Sequence, residues 1–134
     1  MKKINSILII DDDPITVFGI RKMLDMSVKY NSLKTYVNGK SAIDDIKDKL
    51  KNNDLTVPDI IFLDINMPIM DGWQFLGAFT ELPIKERVII NIVTSSIDPV
   101  DYESCEKYKK KSHHLIRFNN KPITMARITE ITQP

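Results

Sequence analysis

The feature that most constrains this chain is a set of short apolar runs that do not alternate. They are Ile7-Leu8-Ile9-Ile10, Ile60-Ile61-Phe62-Leu63, and Val88-Ile89-Ile90 continuing to Ile92-Val93. β-Branched residues dominate them, which favours extended backbone. A strand apolar on both faces must be covered on both faces, the condition of a parallel sheet between two helical layers. Two weaker segments join them. Leu33, Thr35 and Val37 alternate as in an edge strand, and Leu115 to Phe118 supplies a fifth.

Helical patterns fill the intervals. Val17, Ile20 and Leu24 fall at i, i+3, i+7, as do Ile43, Ile46 and Leu50, while Trp73, Leu76 and Phe79 repeat every three residues. Asp98-Pro99 reads as an N-cap followed by proline at the first helical position, opening a fourth helix to about Lys109. A short fifth helix follows Pro122, with Ile128 and Ile131 inward. Strand then helix, five times over, argues a parallel sheet with helices on both faces. At 134 residues the chain has room for one cored domain and too little for two, so a single domain over 1–134 with no output domain is expected.

Composition narrows the function classes. A net charge of +1 supplies no field to draw nucleic acid or anionic lipid. The single cysteine, Cys105, excludes an internal disulfide and suits a reducing compartment; a half-buried packing role is expected for it. The apolar stretch after Lys2-Lys3 is broken by Asn5 and Ser6 and halts at Asp11, too short for a secretory core. No run approaches the ~20 residues that span a bilayer. A cytoplasmic protein without membrane insertion is expected.

In a doubly wound sheet, ligands bind beyond the carboxyl ends of the strands. Asp11, Asp12 and Asp13 follow the first strand, Asp64 the third, Thr94 and Ser95 the fourth, and Asn119-Asn120-Lys121-Pro122 the fifth. Carboxylates about 4 Å apart repel by roughly 4 kcal/mol at an effective dielectric near 20, so they need a cation, a proton or solvent. Asp11, Asp12 and Asp64 suit Mg²⁺, which takes carboxylate oxygens and keeps several waters. A lysine and a hydroxyl opposite the metal suit a phosphoryl group. Asp64 is then the nucleophile that forms an aspartyl phosphate. Asp13, just before Pro14, is expected to cap helix one.

Asp11-Asp12 behind an apolar strand, Asp64 in FLDINMPIMDGW, Thr94 in IVTSS, and Lys121-Pro122 stand in order across essentially the whole chain. Together they resemble the receiver domain of two-component response regulators. The resemblance implies a flavodoxin-like α/β fold, five parallel strands in the order 2-1-3-4-5 with five helices. It makes Asp64 the phosphoacceptor, with Asp12 binding Mg²⁺ directly, Asp11 mainly through water, and the Asn66 main-chain carbonyl as a further ligand. Thr94 and Lys121, with Asn66 and Ser95, would bind the phosphoryl oxygens. Phe118 falls at the family's switch aromatic, coupled to Thr94, and Ser96 lies where the family tunes hydrolysis. The Lys121–Pro122 bond is cis in the family. The implied partners are a histidine kinase or a histidine phosphotransfer protein, with an unknown protein target acting in trans. The chain would catalyse only its own phosphotransfer and dephosphorylation, as a monomer or weak dimer.

The segment Asn66 to Gly72 reads as a loop on its own chemistry. Pro68 pushes Met67 out of helical space, and Gly72 permits a left-handed or a close-packed backbone. By resemblance this loop borders the site. Lys107, Lys109, Lys110, Lys111, His113 and His114 stand where many receivers have small residues and glycine. The lysines read as a solvated helix end. The two histidines lack metal spacing, and Trp73 reads as packing.

Two other functions compete. Asp11-Asp12-Asp13-Pro14-Ile15 also fits the DxD start of haloacid-dehalogenase-like phosphatases, with Asp11 as nucleophile and Asp13 as general acid/base. That chemistry needs a later acidic motif. After Asp71 the only aspartates are Asp98 and Asp101, neither directly behind a strong strand. The third class is a degenerate receiver that only binds, against which the intact Asp11, Asp12, Asp64, Thr94 and Lys121 stand.

Overall fold

The computed structural model describes residues 3–133. Five strands and five helices alternate: β1 Ile4–Ile10, α1 Pro14–Ser27, β2 Tyr30–Tyr36, α2 Gly39–Lys51, β3 Ile60–Leu63, α3 Gly72–Thr80, β4 Ile89–Thr94, α4 Pro99–Lys111, β5 Leu115–Asn120 and α5 Met125–Ile131. The strands form one parallel sheet in the order β2-β1-β3-β4-β5. The apolar runs required a parallel sheet covered on both faces, and the flavodoxin-like order is the one the resemblance implies. No helix among the described residues is long and apolar enough to cross a membrane.

The non-alternating runs feed two cores. Leu8, Ile10, Ile61, Leu63, Ile90 and Ile92 point to one face, against Ile43 and Ile46 of α2, Phe75, Leu76 and Phe79 of α3, and Cys105 of α4. Ile7, Ile9, Ile60, Phe62, Ile89 and Val93 point to the other, against Ile20 and Leu24 of α1 and Ile128 and Ile131 of α5. Each fully buried aliphatic side chain stabilises the fold by about 1.5–3 kcal/mol. Cys105 is fully buried at 1% exposure rather than half-buried.

Three sequence expectations shift in detail. β2 begins at Tyr30, and its half-buried positions are Tyr30, Leu33 and Tyr36, so Thr35 and Val37 face solvent. It is the edge strand, but its half-buried side chains serve both cores, Tyr36 the one with α2 and α3, Tyr30 and Leu33 the one with α1 and α5, so one alternating face does not describe it. The inward stripe of α3 is Gly72, Phe75, Leu76 and Phe79, and Trp73 lies beside it, partly buried. On α2, Leu50 is only half-buried, and Ala42, Ile43 and Ile46 form the buried face.

The short, polar α5 is held by two buried asparagines in the sheet. Asn91 Nδ2 donates to the Ile131 carbonyl at 2.8 Å, and Asn119 Oδ1 accepts from Arg127 Nε at 2.9 Å. The helix starts are capped as their sequences require. Asp13 accepts from Ile15 N and Thr16 Oγ1, Asp98 accepts from Val100 N, and Asp71 forms a reciprocal capping box with Gln74.

Candidate functional site

The ladder of the sheet continues one residue past its strands, and this is what aims the acids. Asp11 N donates to Tyr36 O at 3.0 Å, Asp64 N to Ile10 O at 2.9 Å, and Lys121 N to Thr94 O at 2.9 Å. Each chemistry-bearing side chain therefore starts from backbone as fixed as the strand before it. Lys121–Pro122 is a cis bond.

Asp11, Asp12 and Asp64 each offer a carboxylate oxygen, and these lie within 4.8 Å of one another. Asp11 and Asp64 are buried and Asp12 is exposed. Lys121 Nζ sits 3.2 Å from Asp11 Oδ2 and 3.6 Å from Asp64 Oδ2. One oxygen of each buried acid is tied to backbone: Asp11 Oδ1 accepts from Asp13 N at 2.9 Å, and Asp64 Oδ1 from Ile65 N at 2.8 Å. Oδ2 of each carboxylate is thus the one turned toward the lysine. Burial, then the neighbouring Asp11 charge, push the Asp64 carboxyl up to about 6, with Lys121 opposing. Burial likewise raises Asp11. The donor set fits a hard divalent cation. Opposed ligands of Mg²⁺ stand about 4.2 Å apart, close to the spread seen here, and the exposed Asp12 side leaves room for its waters.

The loop after β3 is held against this cluster. Gly72 N donates to Ile65 O at 2.8 Å, and a Cβ at Gly72 would stand 2.3 Å from the Asp64 carbonyl oxygen. Glycine here serves close approach; no glycine among the described residues has a positive φ, and the left-handed residue of the loop is Ile69, at φ 70°. A β-branched residue in that region is strained by about 1–2 kcal/mol, and such strain clusters at functional sites.

Thr94 is fully buried at the end of β4, and its Oγ1 accepts from Ser96 N at 3.1 Å. Ser95 and Asn66 are exposed. Phe118 is half-buried, packs on the core, and lies with its ring centroid 4.3 Å from that of Tyr102. Asp13, engaged as the α1 cap, is turned to its helix as expected.

The structure also assembles groups that sequence reasoning did not join. Trp73 Nε1 donates to Asp101 Oδ1 at 2.9 Å, and Ser96 Oγ donates to Asp101 Oδ2. Tyr102 OH donates to Asn120 Oδ1 at 3.0 Å, and Asn120 Nδ2 to Ser96 O at 3.0 Å. No spacing rule connects these residues; only the crossover from β4 to α4 brings them together. A cleft of about 990 Å³ at the opposite ends of the strands, lined by Ile4, Val28, Ile60 and Leu115, contains none of the acidic cluster.

Comparison with known proteins identifies the family and the fold. Residues 7–133 match the family described as response regulator receiver domain. The chain is 28% identical over 95 residues to the nitrate/nitrite response regulator protein NarL of Escherichia coli (strain K12), covering 71% of this chain and 41% of that protein. It is 36% identical over 80 residues to a protein-glutamate methylesterase/protein-glutamine glutaminase of Methanococcoides burtonii, covering 58% of this chain and 21% of that one. The chain thus spans less than half the length of these curated relatives. Among solved structures, a two component response regulator from Cytophaga hutchinsonii superposes with a TM-score of 0.78 at 28% identity, covering 97% of this chain and 95% of that chain.

Proposed function

Since the chain belongs to the response regulator receiver domain family, we propose that it is the phosphoacceptor switch of a two-component system, phosphorylated on Asp64. The observation that carries the proposal is the convergence of Asp11, Asp12, Asp64 and Lys121 on one rim, with the Thr94 carbonyl accepting from Lys121 N. The donor is a phosphohistidine on a kinase or a histidine phosphotransfer protein. An Oδ–P bond forms on Asp64 as the P–N bond breaks, and the imidazole leaves. At about 6, the Asp64 carboxyl is ionised at pH 7 and so competent as a nucleophile. Lys121 Nζ faces the buried oxygens and pairs with the added charge, while Thr94 and Ser95 donate to phosphoryl oxygens. Mg²⁺ held by Asp11, Asp12, Asp64 and the Asn66 carbonyl would neutralise charge on the transferring group.

Phe118 and Thr94 form the switch pair in this reading, and the output passes to a protein partner. The chain acts on no external substrate, and its setting is the cytoplasm, where kinase domains and Mg²⁺ are available. The Asp13 carboxylate, occupied by Ile15 N and Thr16 Oγ1, is poorly placed for the acid/base role that a phosphatase would give it. The test is incubation with acetyl phosphate and Mg²⁺ followed by intact mass. A single +80 Da adduct, absent from Asp64→Asn and from the chelated sample, is expected. Label on Asp11, or no label in the native chain, would overturn the assignment.

A further inference from the structure

We propose that Asp101 is a positioning residue for phosphoryl capture at Asp64: it fixes Ser96, and through Ser96 the hydroxyl of Thr94. The inference rests on the reading of Asp64 as phosphoacceptor. Asp101 lies in the first turn of α4. Its two oxygens serve two different elements. Oδ1 accepts from Trp73 Nε1 at 2.9 Å, on the helix whose first residue, Gly72, abuts the Asp64 carbonyl. Oδ2 accepts from Ser96 Oγ, in the loop that follows Thr94. One carboxylate therefore clamps the β3 side of the rim to the β4 side.

Helix capping does not account for it. The α4 N-cap is Asp98, whose side chain already accepts from Val100 N at 3.0 Å, and Asp101 N donates to Asp98 O at 3.0 Å. The side chain of Asp101 is spent on Trp73 and Ser96 instead. Ser96 is in turn saturated. Its hydroxyl donates to Asp101 and accepts from Asp98 N at 3.2 Å, its carbonyl accepts from Asn120 Nδ2 at 3.0 Å, and its N–H donates to Thr94 Oγ1 at 3.1 Å. Two consequences follow for the site. A hydroxyl that accepts an N–H is polarised and donates its own proton more strongly, so the clamp prepares Thr94 to meet a phosphoryl oxygen. The Ser96 proton, given to Asp101, is directed away from Asp64.

The test uses the full chain with Mg²⁺ and beryllofluoride, a phosphoryl mimic, and compares Asp101→Ala, Ser96→Ala, the double variant, Trp73→Phe and Asp64→Asn. Asp101→Ala and Ser96→Ala should each weaken beryllofluoride binding about tenfold, the effect of losing one network hydrogen bond. The double variant should be no weaker than either single, because both act through one contact. Trp73→Phe, which spares the Ser96 contact, should stay within about twofold of the native chain. Without any ligand, the indole N–H resonance of Trp73, the only tryptophan, should move in Asp101→Ala and stay near its native position in Ser96→Ala. Native affinity in folded Asp101→Ala and in Ser96→Ala overturns the inference. So does additivity in the double variant, or a loss in Trp73→Phe equal to that in Asp101→Ala, which would make Asp101 a plain tether of α3 to α4. Should Asp101→Ala not fold, Ser96→Ala alone decides. If the native chain binds no better than Asp64→Asn, the phosphoacceptor reading falls and takes this inference with it; if the native chain binds and the Ser96 and Asp101 variants match it, only this inference falls.

Discussion

Lys121 is the residue on which the proposed site turns, because its ammonium pairs with oxygens that a bound metal would also need. It lies 3.2 Å from Asp11 Oδ2 and 3.6 Å from Asp64 Oδ2, largely shielded from solvent. A cation there relieves the repulsion between the two acids and also opposes a second cation. Lys121→Met should therefore separate metal binding from phosphoryl capture. Mg²⁺ should bind more tightly, by about 1 kcal/mol or roughly fivefold in Kd. Phosphorylation by acetyl phosphate should slow by about a hundredfold, the usual cost of losing one charged donor at a reacting group. Calorimetric Mg²⁺ titration at pH 8 and the rate of adduct formation check the two arms. Mg²⁺ binding that weakens would show that the ammonium does not share these oxygens with the metal. Asp11, Asp12, Asp64 and Lys121 were legible in the sequence because each lies within two residues of a strand's end, and strand ends are one-dimensional features. Asp101 was not, because its partners Ser96 and Trp73 lie 5 and 28 residues away on different elements.

At the scale of elements, two glycines inside helices make opposite demands. Gly72 opens α3 with its Cα against the Asp64 backbone, and a methyl group there would come within 2.3 Å of the carbonyl oxygen and 2.8 Å of Ile65 Cα. Backbone cannot step aside as a side chain can. Gly72→Ala should destabilise the fold by about 1–3 kcal/mol and also weaken beryllofluoride binding by displacing Asp64. Gly19 lies within α1 with nothing within 4 Å of the added methyl. Gly19→Ala should stabilise by about 1 kcal/mol through helix propensity, with beryllofluoride affinity unchanged. Urea unfolding and ligand titration of both variants check this pair, and a destabilised Gly19→Ala would contradict the open environment. The same distinction marks what the sequence could convey about the elements. Gly72 was open to two readings, left-handed turn or close approach, and packing chose the second while Ile69 took the positive φ. The three-residue spacing of Trp73, Leu76 and Phe79 located α3 but misplaced its buried stripe, since Phe75 completes the 3.6-residue period. The anchoring of α5 was hidden altogether, because Asn91 in an apolar run looks like an interruption until Ile131 is seen to receive its N–H.

Across the whole molecule, two buried ionisable groups sit at opposite ends of the sheet and pull the stability in opposite directions with pH. Asp64, at the carboxyl end, is raised from 3.8 to about 6 by burial and by Asp11, with Lys121 opposing and Asp12 adding to the rise. The folded chain holds that proton between pH 3.8 and about 6 when the unfolded chain has released it. Stability from Asp64 is therefore full in acid and lost as pH rises through about 6. His114, near the amino end of β5, is lowered from 6.5 to about 4 by burial and by His113. Its Nδ1 accepts from Val88 N at 3.0 Å, and its Nε2 is buried with no partner among the described residues. The unfolded chain takes up that proton first, so stability from neutral His114 is full above pH 6.5 and lost as pH falls toward about 4. Each effect amounts to about 3 kcal/mol at most, and their windows overlap, so the metal-free native chain should show a shallow pH profile. Asp64→Asn removes the Asp64 part of the balance and leaves Asp11, which burial raises in the same direction. It should be more stable than the native chain at pH 7.5, by about 2 kcal/mol, and the gap should close as pH falls to 4.5. What remains in Asp64→Asn is the His114 slope, a loss of stability on acidification that His114→Phe, if it folds, flattens. Asp11, which burial also raises, opposes that slope. Urea unfolding of the native chain and Asp64→Asn from pH 4.5 to 7.5, without Mg²⁺, measures this directly. A gap that is constant with pH would mean that Asp64 is not held out of its ordinary range by the fold.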